Sequence, residues 1–421
     1  MKHIVLVLTL ILCAAATPAR AETFEGLLEK LKNHPQVDAI LAESERQSNL
    51  AEGALGLPDP TISLGVANVP TGSFAFDREM MTGKVIEFNQ EIPSYSLRKA
   101  RSGMREAESG KQKLMAAYAR ARLKALLVSR LVELHMLDDL EGLNKKQLKL
   151  YAAIEEYLKG QMEAGNPVYG RFSEFDVERV EVEHELNNLI TERSEIEEDL
   201  RWLVGEVPQI PIPNVPHMNW DRKADRLYPV RIAGEDIAVA KNGVEEADAA
   251  YGPNYGIRTA YMQRDSVMGN NLDDMFTVQA SISIPLWASS NQEPKLRAAK
   301  AAERGAESAY EDTRRGWIRR MNVLHSEITI LLDNLELLKE KEASLGEVVA
   351  SAERSYESGE ADYDMLLEAQ IDQLTLAKRL TRHRSRHMRL MAEFNSHMTC
   401  LRRNEAVSAS CRQVGGGHEN N

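Results

Sequence analysis

Between Ser96 and Ala164 the chain has no proline and only four glycines, Gly103, Gly110, Gly142 and Gly160, in a run dominated by Ala, Leu, Lys, Glu, Arg and Met. These are good helix formers. Roughly seventy such residues make a rod of about 100 Å at 1.5 Å rise per residue, far longer than an ordinary globular helix of about three to four turns. An alternating strand, Lys84 to Ile92, runs into Pro93 just ahead of the rod. The arrangement then returns, since Phe276 to Pro285 is a strand ending in proline and Pro294 to Gly359 is a second long helix. Equivalent landmarks lie 192 residues apart (Pro93, Pro285) and 194 apart (Gly165, Gly359), the mark of an internal duplication.

The remaining segments follow this plan. Phe24 to Leu57 reads as helix, broken near Asn33-His34-Pro35 and stopped at Leu57-Pro58-Asp59-Pro60, because proline removes a donor and restricts the residue before it. Thr61 to Val69 alternates, with Ile62, Leu64 and Val66 on one face. The next strand puts Ile86, Phe88 and Ile92 on one side and Glu87, Asn89 and Glu91 on the other, so one side is wet. Ser173 to Val204 carries Phe172, Phe175, Val182, Leu186, Leu189, Ile196, Leu200 and Leu203 at alternating steps of three and four, with Arg179 and Arg193 in the remaining seam positions. Such a heptad seam packs against near-parallel neighbours. Ala233 to Tyr251 is again helix. Tyr255 to Arg264, with Arg258, and Phe276 to Ile284, with Gln279 on its polar side, are again strands, and a last helix runs to about Met398.

The expected organisation is a secretory signal at 1–21, a first repeat at 22–205 with a β-hairpin at 61–92 and a helical hairpin at 96–204, and a connector at 206–229 rich in proline. A second repeat at 230–398 holds a β-hairpin at 255–284 and a helical hairpin at 294–398, and a mobile tail follows at 399–421. Lys2, the apolar stretch Ile4 to Ala16 and Ala19-Arg20-Ala21 supply the three parts of the signal. Cys13 leaves with it, since Leu12 is larger than the residue a lipidation site takes; Cys400 and Cys411 read as a local disulfide of an oxidising compartment rather than a metal site. Without the signal, 50 of the 52 basic residues face 64 acidic ones, about −14, a poor balance for binding nucleic acid. Beyond the signal no apolar run reaches the roughly 18 residues of a transmembrane helix, so any membrane span must be made of strands. No phosphate loop, nucleophile elbow or metalloprotease motif is present, and the expectation is a non-enzyme without cofactor.

Four strands of about nine or ten residues, apolar on one side and polar on the other, have the dyad pattern of outer-membrane barrel strands. Four cannot close a barrel, for which about eight is the practical minimum, whereas three copies supply twelve. The expected fold class is mostly α with a small membrane β part: duplicated coiled-coil hairpins forming a trimeric α-barrel beneath a 12-stranded β-barrel.

Leu57-Pro58-Asp59-Pro60 leading into a strand, the exits Gln90-Glu91-Ile92-Pro93 and Ser283-Ile284-Pro285, and Gly359-x-x-x-x-Asp364-x-Leu366-Leu367-Glu368-Ala369 resemble the TolC family of outer-membrane efflux proteins over nearly the whole chain up to Met398. The resemblance implies a homotrimeric conduit in outer-membrane lipid, its helices reaching into the periplasm, fed by an inner-membrane pump through a periplasmic adaptor. Asn68-Val69-Pro70 through Phe74-Ala75-Phe76-Asp77 to Met80-Met81 is similar to the branch that serves heavy-metal pumps of the resistance-nodulation-division type. Metal cations are therefore the expected cargo, with drugs, amphiphiles, peptides or proteins as alternatives.

By that resemblance the turns carrying Gly165, Phe175, Gly359, Leu366 and Leu367 dock the adaptor, and Glu368, with Asp364 nearby, constricts the periplasmic aperture. The plainer alternative is glycines that end helices and acids on a solvated face. Glu87, Asn89, Glu91, Arg258 and Gln279 are expected to line the pore. His383 and His387 have the i, i+4 spacing of a metal pair, but Arg382, Arg384, Arg386 and Arg389 oppose a cation there, and the two continue the heptad seam from Leu376 and Leu380 towards Leu390 and Phe394, so no metal site is expected. Met80 and Met81 are soft-ligand types in what reads as a rim loop. A periplasmic coiled-coil scaffold without a pore is the rival class, against which the four strands argue.

Overall fold

The structure, a computed structural model, describes residues 23–399. The signal and Cys13, and all of the tail but its first residue, Cys400 and Cys411 included, lie outside the described residues. Helix α1 (Phe24–Lys32) and helix α2 (Pro35–Leu55) meet at Asn33 and His34. Thr23 Oγ1 caps the first, accepting from the Gly26 amide at 3.2 Å, and His34 Nδ1 caps the second, accepting from the Gln36 amide at 3.3 Å. Strands β1 (Thr61–Ala67) and β2 (Gly83–Ile92) follow, then α3 (Tyr95–Glu163, 69 residues) and α4 (Tyr169–Val204, 36 residues). After an extended connector come α5 (Tyr228–Ala249), β3 (Asn254–Arg264), β4 (Met275–Ser283), α6 (Gln292–Glu357, 66 residues) and α7 (Tyr363–Ser396).

The two long rods stop in the same way. Gly165 (φ +88°) and Gly359 (φ +74°) take the left-handed conformation that only glycine adopts without strain. In each turn the glycine amide donates three residues back, to Met162 and Tyr356, and the next amide reaches Gln161 and Ser355. These paired bonds satisfy carbonyls that a helix end leaves without partners.

Helix α3 is the spine. It packs against α2 and α5 in its upper part and against α4 and α7 lower down, and α6 lies along α5 and then α7. Leu123, Leu127, Leu131, Leu137 and Leu140 of α3 form the main core with Leu27, Leu31, Val37, Leu189, Ile196 and Leu200. The expected seam on α4 is buried at Phe175, Val182, Leu189, Ile196 and Leu203, spaced by sevens. Arg193 fills its seam place by reaching across to Asp138 (2.7 Å) and Glu141 (3.1 Å) of α3, whereas Arg179 pairs within its own helix with Asp176 and Glu183.

Two helix starts differ from expectation. Helix α4 begins at Tyr169 rather than Ser173, and helix α5 begins at Tyr228 rather than Ala233 and takes in Pro229, because a proline in the first turn removes an amide that has no intrahelical partner. The α5 start is held by the residues that follow α7: the Tyr228 amide donates to His397 O at 3.0 Å and the Thr399 amide to Arg226 O at 2.7 Å.

A polar layer interrupts the core between α3, α4 and α7. Lys378, 7% exposed, donates to Asn144 Oδ1 (2.6 Å) and Glu185 Oε2 (2.9 Å), and Arg382 also holds Glu185. Burial raises the Glu185 pKa, but the bonds from Lys378 and Arg382 outweigh it and hold the carboxyl below its ordinary value. A depressed carboxyl stabilises the fold above its unfolded pKa of about 4.3, and that contribution is lost as pH falls through the folded value. The thermal unfolding midpoint in detergent, followed by circular dichroism, should fall below about pH 4, and Glu185→Gln should lower it at neutral pH and flatten its acid dependence.

Candidate functional site

The four strands form one antiparallel sheet in the order β1-β2-β3-β4, so β2 and β3 join the two halves and β1 and β4 are its edges. Register sorts most side chains to the dyad pattern, with the row Val85, Met262 and Met275 an apolar exception on the polar face. Leu64 lies opposite Ile86, Ile86 opposite Tyr261 and Tyr261 opposite Phe276; Ile62, Phe88, Thr259 and Val278 make the next row. This apolar face is uncovered, with Leu64 76% and Phe276 69% exposed. On the opposite face Asn89, Arg258 and Gln279 form one row flanked by Glu87 and Glu91, and Arg258 donates to the Glu87 carboxylate. All five residues expected to line a pore therefore share the polar face. Close approach fixes the β2–β3 register at Gly83, where a Cβ would come within 2.6 Å of Met262 Cγ.

At the far end of the rods, the turns after α3 and α6 are brought together by α4 and α7. Phe175 and Leu367 are buried in one cluster with Tyr151, Ile154 and Leu158, and Leu366 is buried as well. These side chains hold the turns in shape from inside, and the apolar surface beside them is Tyr169, Val177 and Met365. Asp364 and Glu368 both meet Arg171, at 3.1 Å for Asp364 Oδ2, and the guanidinium lies 5.7 Å from the Phe175 ring centroid. Arg171 was not singled out in the sequence. Its one signal is a cation in the first turn of a helix, where the dipole disfavours positive charge.

His383 and His387 both have lowered pKa values, through burial first and then through the charges of Arg379 and Arg386 on His383 and of His217 on His387. Among the described residues no group of three or more His, Cys, Asp or Glu could hold a metal ion. Met80 and Met81 are exposed in the loop between β1 and β2, which is tied by Asn68 Nδ2 to Met81 O (3.0 Å) and by Arg264 Nη1 to Met80 O (3.1 Å). No described helix is long and apolar enough to cross a membrane.

Residues 231–386 match the family model described as outer membrane efflux protein. The matched stretch lies within the second repeat and runs from α5 into α7. The solved structures similar to this one include the outer membrane protein VceC from Vibrio cholerae (TM-score 0.71, 16% identity, 89% of this chain and 96% of that one). CusC is similar at TM-score 0.72 and 12% identity, over 89% of this chain and 92% of that one. The open-state MtrE outer membrane channel of Neisseria gonorrhoeae is similar at TM-score 0.71 and 13% identity, over 88% and 87%. No curated protein sequence matches the chain. At these identities the structural likeness establishes the fold, and it extends well beyond the residues 231–386 that the family model covers. The TolC-family resemblance carried by the proline exits and the Gly359 turn agrees with both findings.

The Arg171 pairs tie the start of α4 to the start of α7. Hydrogen–deuterium exchange should speed up at 166–172 and 362–368 in Arg171→Ala, with α3 above Asn144 unchanged.

Proposed function

We propose that three copies of this chain form a passive outer-membrane exit duct, which receives its cargo from an inner-membrane pump of the resistance-nodulation-division type through a periplasmic adaptor. The observation that carries the proposal is a sheet uncovered on its apolar face, charged on its other face and open at both edges, mounted on helices that have no apolar span. Lipid chains suit the first face and water the second. Pairing β1 of one copy with β4 of the next removes the edges and gives twelve strands. The helices offer a matching seam: Val323, Ile330 and Leu337 are exposed at intervals of seven along α6, and Val177 and Ile190 are exposed on α4, the other edge of the helical array. A water-soluble scaffold would leave both the sheet face and this seam without a partner.

Asp364 and Glu368 then ring the aperture, three copies of each, and the exposed apolar residues at the turns meet the adaptor. No catalytic role is assigned. Heavy-metal cations are the cargo suggested by the 68–81 segment. In planar bilayers the wild-type protein should pass small, cation-preferring currents, and Asp364→Ala with Glu368→Ala should raise conductance and weaken that preference; unchanged currents would remove the aperture role. A strain lacking the gene should become sensitive to one or two of copper, silver, zinc, cobalt and cadmium and recover on complementation. Sensitivity to dyes, detergents and antibiotics with metals unaffected would reassign the cargo and leave the duct in place.

A further inference from the structure

Where α7 ends and α5 begins, a cleft of about 540 Å³ opens between α3, α6 and α7. Its size is that of a site for a small organic molecule. Tyr118 of α3 and Trp317 of α6 stand on either side of His397: the Tyr118 hydroxyl is 2.8 Å from His397 Nδ1, and the Trp317 and His397 ring centroids are 4.7 Å apart. Leu126 and Leu390 add apolar surface. The connector borders the cleft walls, with Val215 packed in one cluster with Ala125 and Trp220 in one with Trp317 and Leu390, and Asn395 Nδ2 donates to Pro216 O at 2.7 Å.

Charge in the cleft is unbalanced. Arg320 pairs with Glu393 (3.1 Å), Arg386 with Glu327 (2.5 Å) and Arg389 with Glu133. Arg122 meets no carboxylate among the described residues; its guanidinium lies 6.0 Å from the Tyr118 ring centroid, as Arg320 lies 5.1 Å from that of Trp317. Two buried nitrogens also lack hydrogen-bond partners, Arg389 Nε and His397 Nε2. His397 is only 4% exposed, and the nearest carboxylate oxygen, Glu393 Oε1, is 3.9 Å from Nε2, too far for a hydrogen bond. Either Tyr118 or His397 can donate in their shared hydrogen bond; the arrangement in which the hydroxyl donates leaves the ring proton on Nε2, a buried donor without an acceptor. A buried donor left unmade is costly, and an anionic oxygen placed in the cleft satisfies it.

We propose that this cleft binds a small aromatic anion, a ring bearing a carboxylate or sulfonate. The ring lies against Trp317 and Tyr118, and the anionic oxygens accept from Arg122 and from His397 Nε2. The site is independent of the duct assignment and of the metal cargo, since it rests on side chains of one protomer.

The test is calorimetric titration of the full-length protein, in a nonionic detergent, with 1-naphthoate and its neutral and cationic counterparts, 1-naphthalenemethanol and 1-naphthylmethylammonium. Naphthoate should bind saturably at one per chain, about tenfold tighter than either counterpart, and Arg122→Gln should weaken naphthoate about tenfold and abolish the discrimination, with Arg122→Lys retaining part of it. Trp317→Leu should weaken naphthoate binding. Circular dichroism and gel filtration identical to wild type exclude misfolding of the variants. Absence of saturable naphthoate binding, equal binding of the three probes, or naphthoate affinity unchanged in well-folded Arg122→Gln would each overturn the proposal.

Discussion

One continuous buried face of α3 is the constraint on which the other elements depend. A helix of 69 residues cannot be stabilised by propensity alone, and α3 is held by burying Leu97 near its start and Leu158 near its end, with leucines and valines between them. Because α2, α5, α4 and α7 all pack on it, both hairpin halves share one spine rather than folding as two separate bundles. The sheet inherits the same arrangement, with β2 leading directly into α3 and pairing with β3 of the second half.

The apolar face of the sheet follows from that pairing. Once β2 and β3 are in register, alternation within each strand adds up to one surface across four strands, and a single slipped residue would mix the two faces. Gly83 guards against such a slip, since Met262 and the Gln263 carbonyl occupy the space a side chain would need. The duct proposal therefore depends on a main-chain register that the helices below help to set.

Much of this was legible along the chain because its punctuation is chemical. Pro93 and Pro285 end strands, Gly165 and Gly359 end rods, and period two or seven assigns each face, so the strands, the rods and the α4 seam follow from local rules. Pro229 shows where the same rules mislead: proline counted as a breaker, yet in a first turn it is tolerated, and α5 starts five residues before Ala233. The contacts at the tips were harder to foresee. Arg171 and Glu368 are 197 residues apart, and nothing local to either announces the other. Phe175, Leu366 and Leu367 sat in the right turns, but sequence position alone could not tell a side chain that shapes a turn from one on its surface. The cleft beside His397 was invisible for a similar reason, as its walls come from three helices and its distinguishing feature is a buried ring nitrogen without a hydrogen-bond partner.

The buried lysine of α7 limits how these rods can move. A slide of α7 along α3 by one turn would carry Lys378 Nζ about 5.4 Å from its acceptors and strand a charge in the core, which costs several kcal/mol. A tilt about that level keeps both bonds. Asp364 lies fourteen residues before Lys378, about 21 Å along the helix axis, so a tilt of 10° moves it by about 4 Å. The polar layer thus acts as a fulcrum, turning small changes in helix angle into lateral displacement of the tips while the register above it stays fixed.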